Sequence, residues 1–328
     1  MKYTLLIILW LCTEAVASEQ DNNQRFAVDL STRVVRNFET NQTATLQFVG
    51  FDYLKIFSGT QGDIGTLLLQ PYIARIDNLE NHPPFFDDED DTELTFRNFY
   101  FNYTGINGGR FNIRLGHFEI PFGLEQVINT NGTLHDFIHG ANIGVKADWG
   151  ASLNGTLPTL EYEFALTRAS GNEWETKGNP YFLSGRVGSS REKNFSVGIS
   201  ALDGELFTGN KQTISRSRYG IDFLWYRKAL TFMGDLSIGK DESTYVFNSL
   251  LELNWHNPYE TVLVYLQYKR FAKDFTVGGW DSLNNITLGA QYDPDNHWQF
   301  DAQLSSDQST IASNAKQHKL ALQLRYRF

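Results

Sequence analysis

Between His318 and Phe328 the chain changes chemistry at every residue. His318, Leu320, Leu322, Leu324, Tyr326 and Phe328 fall on one side; Lys319, Ala321, Gln323, Arg325 and Arg327 fall on the other. A repeat of two is the signature of a β-strand whose faces meet different surroundings. The pattern recurs upstream. Trp298, Phe300, Ala302 and Leu304 alternate with Gln299, Asp301, Gln303 and Ser305. Ile286, Leu288, Ala290 and Tyr292 alternate with Thr287, Gly289, Gln291 and Asp293. Tyr219, Ile221, Phe223 and Trp225 do so with Gly220, Asp222, Leu224 and Tyr226. Helical periodicity is hard to find anywhere.

The same reading places about sixteen strands. They fall near 26–37, 43–57, 65–76, 93–103, 110–118, 143–154, 160–168, 181–188, 195–202, 217–226, 229–239, 245–255, 260–271, 284–293, 298–306 and 317–328. The first alternates badly from Ser31 to Arg36, and Pro71 predicts a bulge in the third. Residues 105–109, 157–159, 257–259 and 293–297 are tight turns. Longer links occupy 77–92, 119–142, 169–180, 203–216 and 272–283, so long and short connections alternate. An even strand count and alternating link lengths both fit a barrel with short periplasmic turns and long outer loops.

Composition agrees with that choice. The chain holds 25 Phe, 15 Tyr and 7 Trp, yet 20% of it is charged and mean hydropathy is only -0.35. A helical membrane protein would be strongly apolar. A spanning barrel need not be, because half of each strand faces water. Trp225, Trp255, Tyr259, Tyr292, Trp298, Tyr326 and Phe328 sit near strand ends, where interfacial aromatic girdles belong. A soluble β-sandwich also alternates, but its apolar side packs a core and does not gather aromatics at strand ends. The expected fold is all-β: a closed transmembrane antiparallel barrel, because strands facing hydrocarbon cannot leave backbone groups unpaired.

The first residues read as an export signal over 1–17, with the barrel over 18–328. Lys2, the apolar run Leu5 to Leu11, and Ala15-Val16-Ala17 supply its three parts. Leu11 fits a lipoprotein signal at Cys12 poorly. Cys12 is the only cysteine, so disulfides and cysteine metal sites are not expected beyond the signal. The net charge of -10 argues against nucleic-acid binding.

Two stretches carry a resemblance. The last strand, ending in Leu324, Tyr326 and Phe328, resembles the terminal signature of outer-membrane barrels, which their assembly machinery reads. Arg114-Leu115-Gly116-His117-Phe118-Glu119-Ile120-Pro121-Phe122-Gly123-Leu124-Glu125 resembles a Gly-x-Phe-x-x-Pro-Phe-Gly-Leu-Glu segment of the phosphate-selective porin (porin O/P) family, and Asp136-Phe137-Ile138 resembles its continuation. The resemblance covers about 25 residues. It implies a sixteen-stranded barrel in the bacterial outer membrane, usually trimeric, with a long third loop folded into the pore. It further implies a channel for small hydrophilic solutes and ions, in contact with lipid and lipopolysaccharide. The family's arginine and lysine ladder has no residue-by-residue match in this acidic chain, so phosphate specificity is not implied. A solute-specific channel, for phosphate or other anions or for sugars, stays an alternative.

Period two also assigns inward charges. Arg114, Lys146, Arg186, Lys319, Arg325 and Arg327 are expected to line the pore, with Arg75 and Arg97. Inward acids are Glu161, Glu163, Asp222, Asp235, Glu252, Asp293 and Asp301, mostly on the opposite wall. Glu119, Glu125 and Asp136 of the third loop would face the basic wall and set up a transverse field, since charges in a narrow pore are weakly screened. The run Asp87-Asp88-Glu89-Asp90-Asp91 reads as a solvated loop, with a divalent-cation site as the sharper alternative. No cofactor, resident metal or catalytic residue is expected. The rival reading, a barrel-embedded hydrolase, would have to use His135, Asp136 and His139, whose spacing is unspecific.

Overall fold

The computed structural model describes residues 23–60, 62–77, 92–124, 126, 132–135, 142–208, 212–274, 280–310 and 316–328. The export signal, Cys12 and the acidic run Asp87–Asp91 lie outside them. Among the described residues no helix is long and apolar enough to cross a membrane, and no group of three or more His, Cys, Asp or Glu could hold a metal ion.

Sixteen strands follow one another around a closed barrel. They are β1 (Gln24–Asn37), β2 (Thr43–Gly59), β3 (Gly62–Asp77), β4 (Thr92–Ile106), β5 (Phe111–Glu119), β6 (Ala147–Thr156), β7 (Glu161–Thr167) and β8 (Tyr181–Gly188). The second half is β9 (Phe195–Phe207), β10 (Thr213–Arg227), β11 (Leu230–Asp241), β12 (Thr244–His256), β13 (Val262–Asp274), β14 (Trp280–Tyr292), β15 (Trp298–Ser309) and β16 (Lys316–Arg327). Each pairs antiparallel with its neighbours. β1 meets β16 in register from Asp29↔Arg327 to Asn37↔Lys319. Val28 and Phe328 exchange backbone hydrogen bonds of 2.6 and 3.0 Å, so the chain's last residue completes the seam. Closure leaves no edge to present to hydrocarbon.

The two faces separate as the alternation requires. Along β9, Phe195, Val197 and Ile199 are exposed outward, while Ser196, Gly198 and Ser200 are buried inward. Leu166, Leu183, Ile286 and Leu304 extend the outer apolar band around the barrel. Two expected long links prove to be mostly strand. Residues 203–216 run in β9 and β10, and 272–283 in β13 and β14, each pair leaving about five residues between them. Their outward positions here, such as Asp203, Glu205 and Ser215, are polar. These hairpins rise past the apolar band, where neither face meets lipid, so the alternation that marks a strand in the membrane is gone.

The bulge opposite Pro71 lies in β4. Leu69 pairs with Phe99 but Pro71 with Phe96, so β4 carries one extra residue. That residue turns Arg97 to the inside, where it stacks on the Tyr72 ring at 3.8 Å. Above Phe99↔His117, β4 has no β5 partner, because β5 ends and the chain enters the lumen at Pro121. The side-chain amide of Asn172, from link 168–180, fills this gap. It accepts from the Phe96 N–H at 2.8 Å and donates to the Leu94 carbonyl at 2.9 Å. The link is held by Asp148, whose carboxylate accepts the N–H groups of Ala169, Ser170 and Gly171. Outside the wall it covers Trp149, whose indole donates to the Asn172 carbonyl at 2.9 Å.

Candidate functional site in the barrel lumen

The segment between β5 and β6 turns inward because Pro121 cannot donate to a ladder and because apolar residues follow it. Ile120, Phe122, Ile143 and Val145 pack with Phe182 of β8 and Leu202 and Leu206 of β9. Leu124 packs with Leu224, Met233 and Leu250 of β10, β11 and β12. Burying each such side chain contributes about 1.5–3 kcal/mol. Backbone donors are met as well: Gly123 N–H by Ser200 Oγ and Leu124 N–H by Asp235 Oδ2, both at 2.9 Å. Gly123 has φ +53, and a Cβ there would lie 1.8 Å from the Asp235 carboxylate.

The loop also reaches the far wall. The Gly132 carbonyl accepts from Gln299 and Gln323, each at 2.7 Å. Arg33 donates to the Thr133 carbonyl at 2.6 Å. His135 rests on the Tyr265 ring, centroids 3.9 Å apart, with Nδ1 at 3.6 Å from Glu252. Tyr265 itself lies flat over Gly289, where a Cβ would meet its ring at 2.0 Å, and its hydroxyl donates to Gln303 at 2.7 Å. Burial outweighs the neighbouring Glu252 charge and holds the His135 imidazole below its usual range; Lys269 and His256 push the same way. On its return the loop is tied to β10 by Arg218, which donates to Asn142 Oδ1 at 3.2 Å.

The inward charges take a different arrangement from the expected transverse field. Arg325 forms a two-pronged pair with Asp29, at 2.8 and 2.5 Å. Arg327 meets Asp52 at 2.5 Å. Arg97 faces Asp29 at 3.5 Å and donates to the Tyr72 hydroxyl at 3.1 Å. Arg114 pairs with Glu163 at 2.9 Å, Arg186 with Asp222 at 2.6 Å and Glu161 at 3.1 Å, and Lys319 with Asp307 at 3.1 Å. Each base is answered by a carboxylate on a nearby strand, so basic and acidic walls are not segregated. The reason is dielectric: a half-buried charge is stable when its counter-charge and hydrogen bonds are adjacent.

One further position needs correcting. Arg75 shares the outward face of β3 with exposed Ile73, while Tyr72, Ala74 and Ile76 point in; it pairs with Asp77 at 3.3 Å. It lies near the strand's long-loop end, where an outward charge escapes the apolar band. Lys146 precedes β6 and pairs with Glu119 at 3.1 Å, clasping the base of the loop. Glu125, Asp136 and His139 fall outside the described residues.

Sequence reasoning missed several partners. Asp29 was hidden in the first strand, which alternates badly, and Asp52 was not singled out in the second. Arg216 and Arg218 share parity with Asp222; Arg218 falls within the expected strand 217–226 and was passed over, and Arg216 lies one residue before it. They meet Asp241 at 2.8 and 2.7 Å, and Lys273 adds a third cation at 3.0 Å. Arg191, in the turn after β8, meets Glu161 at 3.1 Å. It borders a cavity of about 180 Å³ beneath the loop, lined by polar groups of β5 to β8.

No protein-family profile matches the chain, and no curated protein does. Solved structures do match in fold. OmpT of Vibrio cholerae is 10% identical, with 95% of this chain and 99% of that one covered and a TM-score of 0.65. An anion-selective porin from Comamonas acidovorans is 13% identical, covering 93% and 99%, TM-score 0.65. OprB of Pseudomonas putida is 9% identical, covering 97% of each chain, TM-score 0.69. The chain thus has the sixteen-stranded barrel fold of outer-membrane porins; the resemblance to the phosphate-selective family rests on the residues from Arg114 to Glu125 and their continuation at Asp136 to Ile138.

Proposed function

We propose that the protein is a porin of the bacterial outer membrane, a passive channel for small hydrophilic solutes and ions. The observation that carries this is a closed barrel with an apolar outside and an ionic, amide-rich inside, crossed by a loop docked on one wall. A sixteen-stranded barrel encloses an aqueous path unless it is filled. The longest links, 78–91, 120–146 and 168–180, join strands at one rim and both described ends lie at the other, which is the periplasmic side in such barrels. Inward bases paired within the lumen favour polar solutes of either sign over a phosphate-specific ladder. The fold likeness to a protein titled an anion-selective porin supports a channel of unassigned selectivity.

This reading has no catalytic step. It includes assembly as a homotrimer; OmpT of Vibrio cholerae, alike in fold, is known in a trimer form. It also includes recognition of the strand ending in Phe328 by the barrel-assembly machinery, and contact with lipopolysaccharide. Purified protein in a planar bilayer under a salt gradient tests the reading. Stepwise conductance is expected, with the reversal potential giving the sign of selectivity; closed bilayers at all voltages would refute it.

A further inference from the structure

The cavity beneath the docked loop carries chemistry that a general diffusion path does not need. Its charged lining consists of Arg186 and Arg191 against Glu161 and Glu163, so it sums to zero. The pairs differ in availability. Arg186 and Glu163 are nearly buried, and each has two or more polar partners. Arg191 and Glu161 keep 22% and 24% of their side chains exposed, 3.1 Å apart. Beside them the Oδ1 of Asn112 is buried and accepts no hydrogen bond, although its amide nitrogen donates to Asn154 at 3.1 Å.

We propose, building on the channel reading, that this cavity is a binding station for a small zwitterion of the α-amino-acid class. Its carboxylate would meet Arg191 and its ammonium Glu161 and the Asn112 oxygen. The spacing is what selects the class. An α-amino acid holds its ammonium nitrogen and carboxylate oxygen roughly 3 Å apart by covalent geometry. It can lie antiparallel along the Arg191–Glu161 pair and satisfy both charges at once. A simple anion would meet two carboxylates, and a simple cation two guanidiniums. A neutral polyol would give up water without answering either charge. A volume of about 180 Å³ admits a small amino acid.

The test uses the full chain, folded in detergent, with L-serine as probe and acetate, ethylammonium and glucose as comparisons. Serine binding by calorimetry or saturation-transfer NMR is expected, with the three comparisons far weaker. Arg191→Gln and Glu161→Gln should each weaken serine roughly tenfold, as loss of one charge-assisted contact implies. The exchanged double variant, Arg191→Glu with Glu161→Arg, should recover part of it. Heat-modifiable gel mobility establishes that each variant folds. Equal binding of acetate or glucose, or serine binding untouched by both single variants, overturns the station. Because binding is read without conductance, its failure is separate from failure of the channel, which the bilayer experiment decides.

Discussion

Along β8 to β12, the apolar inward residues that meet the loop are Phe182, Leu202, Leu206, Leu224, Met233 and Leu250. Along β13 to β16 and into β1, the inward residues include Gln267, Thr287, Asp301, Gln323, Arg325 and Asp29. Both sectors have the same apolar outside, so the membrane does not explain the difference. The loop does. An apolar inner wall left wet would cost about 25 cal/mol per Å², and the loop covers it with Ile120, Phe122 and Leu124. Among the described residues, the polar wall receives the same loop through carbonyl hydrogen bonds and one histidine. One side of the lumen is a bed; the other is a surface that can stay hydrated.

Removing the bed's central side chain tests this most strongly. Phe122→Ala should remove about 3–5 kcal/mol of docking and raise single-channel conductance several-fold while the barrel stays folded. Unchanged conductance would mean the far-wall contacts alone hold the loop. On the ionic side, Asp222→Ala strips the bidentate partner from Arg186, which keeps Glu161. Stability against urea should fall toward the low end of about 3–5 kcal/mol; no loss would show that the pair adds nothing. The outside offers a control common to both sectors. Ile199→Arg, in the middle of the band, should cost about 2–4 kcal/mol, measured as unfolding in detergent or lipid. A neutral result would displace the assigned membrane position.

The smallest effect concerns His135. Its docked imidazole is held below its usual range, chiefly by burial. The docked tip therefore binds protons less readily than the free tip. Docking is fully stable above the ordinary imidazole value of about 6.5 and weakens as pH falls through the docked value. Open-channel current noise should grow on acidification, and His135→Gln should remove that growth. Noise that is constant with pH in the native protein would assign the histidine no part in holding the tip.

The strands were legible wherever the two faces met two solvents, as in Leu320 to Phe328 or Phe195 to Ile199. Legibility failed in three physical situations. Above the lipid band, at Asp203 and Glu205, both faces are wet and the strand looks like a loop. At the β4 bulge one extra residue shifts parity, so strict alternation from the outward Phe99 would send Arg97 outward. Inside the lumen, inward leucines such as Leu202 and Leu224 depart from the polar face that a water-filled barrel requires. They are in fact the mark of the docked loop, and a switch from Ser196, Gly198 and Ser200 to Leu202 within one strand is a readable sign of it. Ion pairing was the least accessible part, since Asp29 and Arg325 stand at opposite ends of the chain and meet only when the seam closes.

Asn172 gives the wall an unusual dependence. Surface links of a barrel can ordinarily lengthen, shorten or change composition without consequence for the hoop beneath them. Here one carboxamide, carried by such a link, stands in for a missing peptide between two staves. The stretch from Asp148's clasp at Ala169 to Asn172 is consequently fixed in length. At 168–172 an insertion would open a hydrogen-bond vacancy in the hull itself.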